Sequence, residues 1–488
     1  MTTTHAARPI PEPAASPYLT GLYTPVDAEV DVAGLETVGE LPPELEGSYL
    51  RNGPNPRFSP IGHFVYPLDG DGMVHEVQLA DGRARYRNRF VRTPALLTEE
   101  AAGYALWAGI TDAYRPGQDL VGPALAGTVR DLPDVNVVRH GGRLLALAES
   151  KRPFRLGPCL ETLGPDTFGG SLPAGITAHP KIDPRTGEMA VFCYHLTPPF
   201  LTWTVIRPDG TALRPTPVEG VDRPSLVHDM ALTEHYLVLV TAPLFFDLGQ
   251  ALAGGSLLSW EPDRGTRVAL IPRDGGPVRW CADDTFWTWH TANAYEADDP
   301  GAGNPVVLDY VQWDAPAGLA PGQAGPDAGR LTRATIDPAA GTIRRERLSD
   351  DRVEFPRIDD RALTRQHPTI ALTGDSGRPR LHPEAADTLF WFDPRTGATT
   401  RWTSADLAVG ELAHAPHPNS AKPDDGWWLT FATHRATGES WLLVIPAADP
   451  GAGPQARVRM PVRVPLGLHG TWLPDHPGSR LTTTGGTP

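Results

Sequence analysis

Cysteine is scarce in this chain: Cys159, Cys193 and Cys281 are its three, spread over 488 residues. That number and spacing exclude a disulfide framework and a cysteine-built zinc site, and they fit a reducing compartment. Basic charge is in deficit too, with 43 Lys and Arg against 58 Asp and Glu, a net charge of −15. An acidic surface repels phosphate backbones, so no nucleic-acid partner is expected. No stretch approaches the roughly 18 uncharged apolar residues of a membrane span. The opening "MTTTHAARPIPEPAASPYL" lacks the basic-then-apolar order of a secretory leader, so the expected location is cytoplasmic. There is no Gly-x-Gly-x-x-Gly, no P-loop and no His-Glu-x-x-His. "GDSGRP" at 374–379 mimics the nucleophile region of a serine protease. Such a site depends on matched His and Asp geometry, and here the motif reads as a turn.

What is plentiful is punctuation: 50 Gly and 53 Pro. "DPRTGE" at 183–188, "RPDGTA" at 207–212, "PDRGTR" at 262–267, "DPAAGT" at 337–342 and "DPRTGA" at 393–398 each place Pro and Asp ahead of Gly. Flanked by runs such as "MAVFCYHL" and "TLFWF", each reads as a hairpin between two strands. Many hairpins and few helical patterns predict an all-β body, best built as a β-propeller, whose radial repetition limits exposed edges. We expect one catalytic domain over 1–488, with flexible termini at 1–20 and 474–488. The Ala/Gly/Pro-rich stretch 314–329 reads as a mobile surface loop. The apolar stretch 243–258, "PLFFDLGQALAGGSLL", reads either as a helix packed on the body or as an exposed patch that dips into one membrane leaflet.

Among 16 histidines, context must choose. His63, His140, His235, His382, His414, His417 and His434 lie beside Gly, Pro, Arg or Glu and read as solvated loop residues. His179 in "GITAHPKID", His228 in "SLVHDMALT", His290 in "WTWHTANAYE" and His469 in "PLGLHGTW" occupy apolar or small-residue settings instead. Each could be a satisfied core histidine. Alternatively, strands of different blades converge on a propeller axis, so one inward imidazole per blade builds a metal site without any local motif. Such imidazoles need carboxylates to hold their outer N–H groups. Glu149 in "RLLALAES", Glu354 in "RVEFPRID" and Glu411 in "AVGELAHAP" sit in apolar surroundings and suit that role.

The chain resembles the carotenoid cleavage oxygenases. The likeness is carried by "LEGSYLRNGPNPRF" at 45–58, "DGDGMVH" at 69–75, "NVVRHGGRLLALAES", "LETLGPDTFGG", "TAHPKIDPRTGEMAVFCY", "VHDMALTEHYLVL", "EFPRID" and "PLGLHGTW", in the family's order. The resemblance implies a seven-bladed propeller with a helical and loop cap over an axial face that bears a non-haem Fe(2+). It implies His179, His228, His290 and His469 as iron ligands, with Glu149, Glu354 and Glu411 hydrogen-bonded to their rings. It further implies that a lipophilic polyene and O2 are the substrates, a conjugated C=C bond being split to two carbonyl products. A patch like 243–258 would make peripheral membrane contact. Two departures bear on substrate. The family's aromatic "HWF" is here Tyr66, Pro67 and Leu68, and stilbene-cleaving members carry Lys where this chain has Ala148. A carotenoid or apocarotenoid is therefore favoured. A stilbenoid oxygenase and a polyene isomerase are the alternatives on the same fold, and a metal-free propeller acting as a scaffold or binding module is the alternative from another functional class.

Overall fold

The computed structural model describes residues 10–65, 67, 69–110, 112, 114–252, 255–298, 304–316, 319, 328–377 and 385–474. Seven antiparallel sheets of four to six strands stand around one axis as the blades of a propeller, with one extra two-stranded ribbon. Five blades are simple four-stranded runs in which each strand pairs with the next in its sheet, such as Asn136–His140, Arg143–Leu147, Phe154–Leu156 and Thr162–Pro165. The outermost strand is the exposed one in each blade. In the fifth, Trp287–Glu296 and Val306–Trp313 are almost wholly buried, whereas the outermost strand, "TIRRER" at Thr342–Arg347, is mostly exposed. Strands covered on both faces read as continuous apolar runs; those facing water alternate.

The core is a set of layers between neighbouring blades. Leu145, Leu147, Met189, Val191 and Ile206 pack across the second and third blades. Val238, Leu270, Leu308, Tyr310 and Ile336 do so across the fourth and fifth. The ring closes twice. Gly470–Pro474 enters the first blade beside Gly47–Arg51, and Thr37–Gly39 enters the last beside Ala456–Arg459. Each chain end thus completes the blade built mainly by the other end.

Four of the five expected hairpin turns join paired strands or continue a strand into a bridging one. The fifth, 262–267, does not: a 3-10 turn at Pro262–Arg264 carries the chain from one sheet to another. Its Gly265 has φ +70°, and a Cβ there would sit 2.7 Å from the Asp283 carbonyl oxygen, so close approach, not a hairpin, requires the glycine. At 374–377, Ser376 is exposed and its hydroxyl donates to Asp387 Oδ2 at 2.5 Å, while 378–379 lie outside the described residues.

Among the described residues the α-helices are Pro94–Ala102, Gln118–Val121 and Leu248–Leu252. The stretch 243–258 is neither of the two expected forms alone. Leu244–Phe246 pairs with Leu258–Trp260, and a five-residue helix between them leaves Leu248 46% exposed. The expected loop 314–329 lies mostly outside the described residues, as do 1–9 and 475–488. Within the expected flexible N-terminal stretch, Ala14 N–H donates to the Pro60 carbonyl at 2.7 Å.

Two histidines read as solvated are buried. The His140 ring lies 2.9 Å from the Arg207 carbonyl of the next blade, and His414 faces the buried Asp359 at 3.6 Å. Both partners come from another blade, which neighbours in sequence do not report.

Candidate metal centre

Each axial histidine is placed by the inner edge of its own blade. His179 precedes Lys181–Ile182 by two residues, His228 precedes Met230–Leu232 by two, and His469 precedes Gly470–Pro474 by one. His290 lies inside Trp287–Glu296, where the register with Val306–Trp313 slips between Thr288 and Thr291. Such a bulge re-aims a side chain that regular pleating would turn elsewhere. The remaining three blades supply the carboxylates. Glu149 follows Arg143–Leu147, Glu354 lies in Val353–Arg357, and Glu411 precedes Ala413–Pro416 by two residues. Glu354 too sits at a register shift, and the next residue, Phe355, has φ +53°.

The result is a ring of seven side chains drawn from seven blades. The four histidines bring one nitrogen each to within 4.8 Å of one another. His179 Nε2 and His228 Nε2 are 3.1 Å apart. The outer nitrogens are held from behind: His228 Nδ1 lies 2.9 Å from Glu149, His290 Nδ1 2.7 Å from Glu354 and His469 Nδ1 2.9 Å from Glu411. A carboxylate only accepts, so each Nδ1 carries the proton and each Nε2 presents its lone pair inward. His290 Nε2 is buried with no hydrogen-bond partner among the described residues. Among those residues His179 has no such carboxylate.

Electrostatics favour an unprotonated ring at His179 and at His469. Burial holds His179 well below the ordinary imidazole range, and its three neighbours push the same way. Burial also lowers His469, against the pull of Glu411. His290 goes the other way: burial pulls it down, but Glu354, with Asp229 and Glu411, outweighs that. Burial opposes ionisation of Glu411, but His469 and Arg357 hold its carboxyl down to about 2. Four inward lone pairs with anions behind three of them form a donor set for a divalent cation, whose binding competes with protons. The residues therefore fit a metal.

Each glutamate has a further partner that the sequence did not announce. Tyr194 O–H donates to Glu149 Oε1 at 3.3 Å, Trp313 Nε1–H to Glu354 Oε1 at 2.7 Å, and Arg357 lies 3.3 Å from Glu411 Oε2. Phe355 stacks on His290 with ring centroids 5.2 Å apart and planes 24° apart. Tyr194, Phe355 and Arg357 lie inside blocks that carry the family likeness, but nothing in the sequence marked the contacts they make, and Trp313 lies outside those blocks.

His228, His290 and His469 open into a cavity of about 490 Å³, whose wall includes Tyr18, Tyr23, Phe64, Trp289, Trp313, Leu319 and Phe355. Ser16, Tyr18 and Tyr23, with Phe64, Val65 and Pro67, form its cap. "DGDG" builds that cap: Asp69 accepts from Val65 N–H at 3.0 Å and Ile110 N–H at 2.8 Å, and Asp71 accepts from Arg57 N–H at 2.9 Å. Pro67 lines the cavity, while Tyr66 and Leu68 lie outside the described residues.

The sequence model of the RPE65 family, retinal pigment epithelial membrane protein, matches residues 23–474. The chain belongs to this family, that of the carotenoid cleavage oxygenases. It is an enzyme of that family. A carotenoid cleavage oxygenase of Mycobacterium tuberculosis is 33% identical over 97% of this chain and all of that one. A carotenoid 9,10(9',10')-cleavage dioxygenase of Arabidopsis thaliana is 30% identical over 94% of this chain and 90% of that one. Among solved structures, the lignostilbene dioxygenase of Pseudomonas brassicacearum superposes with a TM-score of 0.86 at 30% identity, over 96% of this chain and all of that one. A Trp149Ala mutant of the Synechocystis apocarotenoid oxygenase gives 0.83 at 28% identity, over 93% and 98%. The ordered blocks read from the sequence span the same carotenoid cleavage oxygenase match, from 45 to 472.

Proposed function

We propose that this protein is a non-haem iron(II) dioxygenase that splits one conjugated C=C bond of a carotenoid or apocarotenoid into two carbonyl products. The observation that carries the reading is the convergence of four buried imidazoles, three braced by carboxylates, on the wall of an aromatic cavity. His179, His228, His290 and His469 would hold the iron, and Glu149, Glu354 and Glu411 would fix three of their rings. Iron(II) held by these imidazoles would supply the redox chemistry that dioxygen needs. The chain's own part is to bind and orient. The aromatic wall excludes water and lays one double bond of the polyene beside the histidines. One oxygen atom goes to each carbon of the broken bond, so no protein acid, base or nucleophile is required. Because the first and last blades exchange strands, we read 1–488 as one catalytic domain.

Two further features support a lipophilic substrate. The apolar stretch 243–258 is continuous with the cavity wall: Leu244, Phe246 and Leu258 pack in one cluster with Trp289, Trp313 and Leu319. Its exposed Leu248 stands 46% open, and Tyr194 on a neighbouring blade touches Phe246 with ring centroids 5.4 Å apart. We read this face as the membrane contact through which the substrate enters. No described helix is long and apolar enough to cross a membrane. Leu248→Ser with Leu257→Ser is expected to lower liposome association several-fold without changing the melting temperature. Equal sedimentation with vesicles would remove the membrane role.

Ala148, 4% exposed, brings no cation to hold a phenol oxygen, which favours a polyene over a stilbene. The likeness to the lignostilbene dioxygenase keeps the stilbenoid reading as the second one. The deciding experiment is aerobic incubation of iron-loaded protein with a long apocarotenal, followed by mass spectrometry. Two shorter carbonyl fragments are expected. An intact apocarotenal together with a cleaved stilbene transfers the assignment to stilbenoids, and an intact chain of altered geometry transfers it to isomerisation.

A further inference from the structure

The three glutamates are not equivalent in what stands behind them. Tyr194, Trp313 and Arg357 each hold the carboxylate oxygen that the histidine leaves over. Of these three, Trp313 alone lines the cavity. It ends the strand Val306–Trp313, opposite Trp287 in the register, and packs in the cluster that includes Trp289 and Leu319. One indole therefore borders the space a substrate fills and places its N–H on Glu354 Oε1, 2.7 Å away. The other oxygen of Glu354 takes His290 Nδ1 at 2.7 Å and Phe355 N–H at 2.6 Å. The room for this ring is specific: a Cβ on Gly329 would lie 2.8 Å from Trp313 Nε1 and 2.7 Å from the Val353 carbonyl oxygen.

We propose that Trp313 is a positioning residue that couples occupancy of the cavity by an extended conjugated ligand to the grip of His290 on the metal, through Glu354. This rests on the metal-centre reading above. A carboxylate held at both oxygens fixes the ring and the basicity of its histidine, and loss of such outer partners weakens metal binding. A flat polyene packed on the indole face favours the rotamer that points the N–H at Glu354. Metal and polyene then each tighten the other's binding by the same factor, as linkage requires.

The test uses the full chain loaded with Co(II), whose visible bands report the coordination sphere and which can be titrated without turnover. The Co(II) dissociation constant is measured with and without a saturating apocarotenal. The native chain is expected to bind Co(II) about fivefold or more tightly when the polyene is present. Trp313→Phe keeps an aromatic face but removes the N–H. It is expected to weaken Co(II) about tenfold and to bring the ratio near one. Tyr194→Phe is expected to weaken Co(II) while keeping the ratio, because Tyr194 does not line the cavity. Trp313→His, which retains a ring N–H, is expected to recover part of the coupling. An unchanged ratio in Trp313→Phe overturns the proposal, as does a native chain whose Co(II) affinity ignores the polyene, a measurement that needs no variant to fold. A native chain that holds no Co(II) at all overturns the metal-centre reading instead, which keeps the two failures apart.

Discussion

His290→Ala is expected to leave a folded propeller that retains no metal and turns over nothing. The histidine is buried, its Nδ1 is committed to Glu354, and its Nε2 has no partner among the described residues, so its free lone pair has no role in the protein's own hydrogen bonding. Removing it takes one of four donors from a site to which, among the described residues, no fifth ligand belongs. The structural penalty is contained. Glu354 keeps Trp313 on Oε1 and the Phe355 N–H on Oε2, so its charge is not left bare. The loss in metal affinity should exceed the roughly 10- to 100-fold that deletion of an outer partner costs. Elemental analysis of the purified variant beside a thermal melt checks both halves. Full metal occupancy with normal turnover would remove His290 from the ligand set, and a collapsed melt would make it a core histidine.

The likeness of fold to sequence was uneven for physical reasons. Local chemistry was readable: Asp-Pro turns with a following glycine mark strand ends at 183–188, 337–342 and 393–398, and strands run between them. The blade as a unit was not, because its closure depends on Thr37–Gly39 and Gly470–Pro474 crossing to the far end of the chain, which no local pattern records. The histidines of the centre stood out because an apolar or small-residue setting is unusual for an imidazole. His140 and His414 did not, since Gly, Arg and Pro beside them look like loop while their partners come from another blade. Glu149, Glu354 and Glu411 were visible as charges in apolar runs. Trp313, Tyr194 and Arg357 were not, because a tryptophan in a strand is equally good as core, and only the fold reveals the hydrogen bond it makes. The propeller explains why the site has no local motif: seven blades each contribute one residue to it, so its members lie tens of residues apart.

Glu411→Gln is expected to cost more stability than Glu149→Gln, although both should loosen metal. Glu411 is 4% exposed and does three things at once. It takes His469 Nδ1 at 2.9 Å, accepts from Gly470 N–H at 2.9 Å, and faces the Arg357 guanidinium at 3.3 Å. Burial alone would drive its carboxyl to protonate, yet His469 and Arg357 keep it ionised. Arg357 in turn donates to the Gly470 carbonyl at 3.0 Å, so both cluster around the first residue of the strand that closes the ring. A glutamine fills the same space and can still accept from Gly470, but it leaves the guanidinium of Arg357 only the exposed Asp360, 3.8 Å away, as anion. Leaving one partner of a buried pair wholly uncompensated costs about 3–5 kcal/mol, and with Asp360 nearby the loss here approaches that figure from below. Glu149 has a neutral phenol where Glu411 has a guanidinium, so Glu149→Gln forfeits hydrogen bonds to neutral groups, about 1–3 kcal/mol. Denaturant melts of the two metal-free variants test the order directly. Co(II) titration should show both weakened to a similar degree, since each braces one histidine from behind. Equal melts for the two would mean that Asp360 suffices for Arg357, and that Glu411 braces His469 without securing the closing strand.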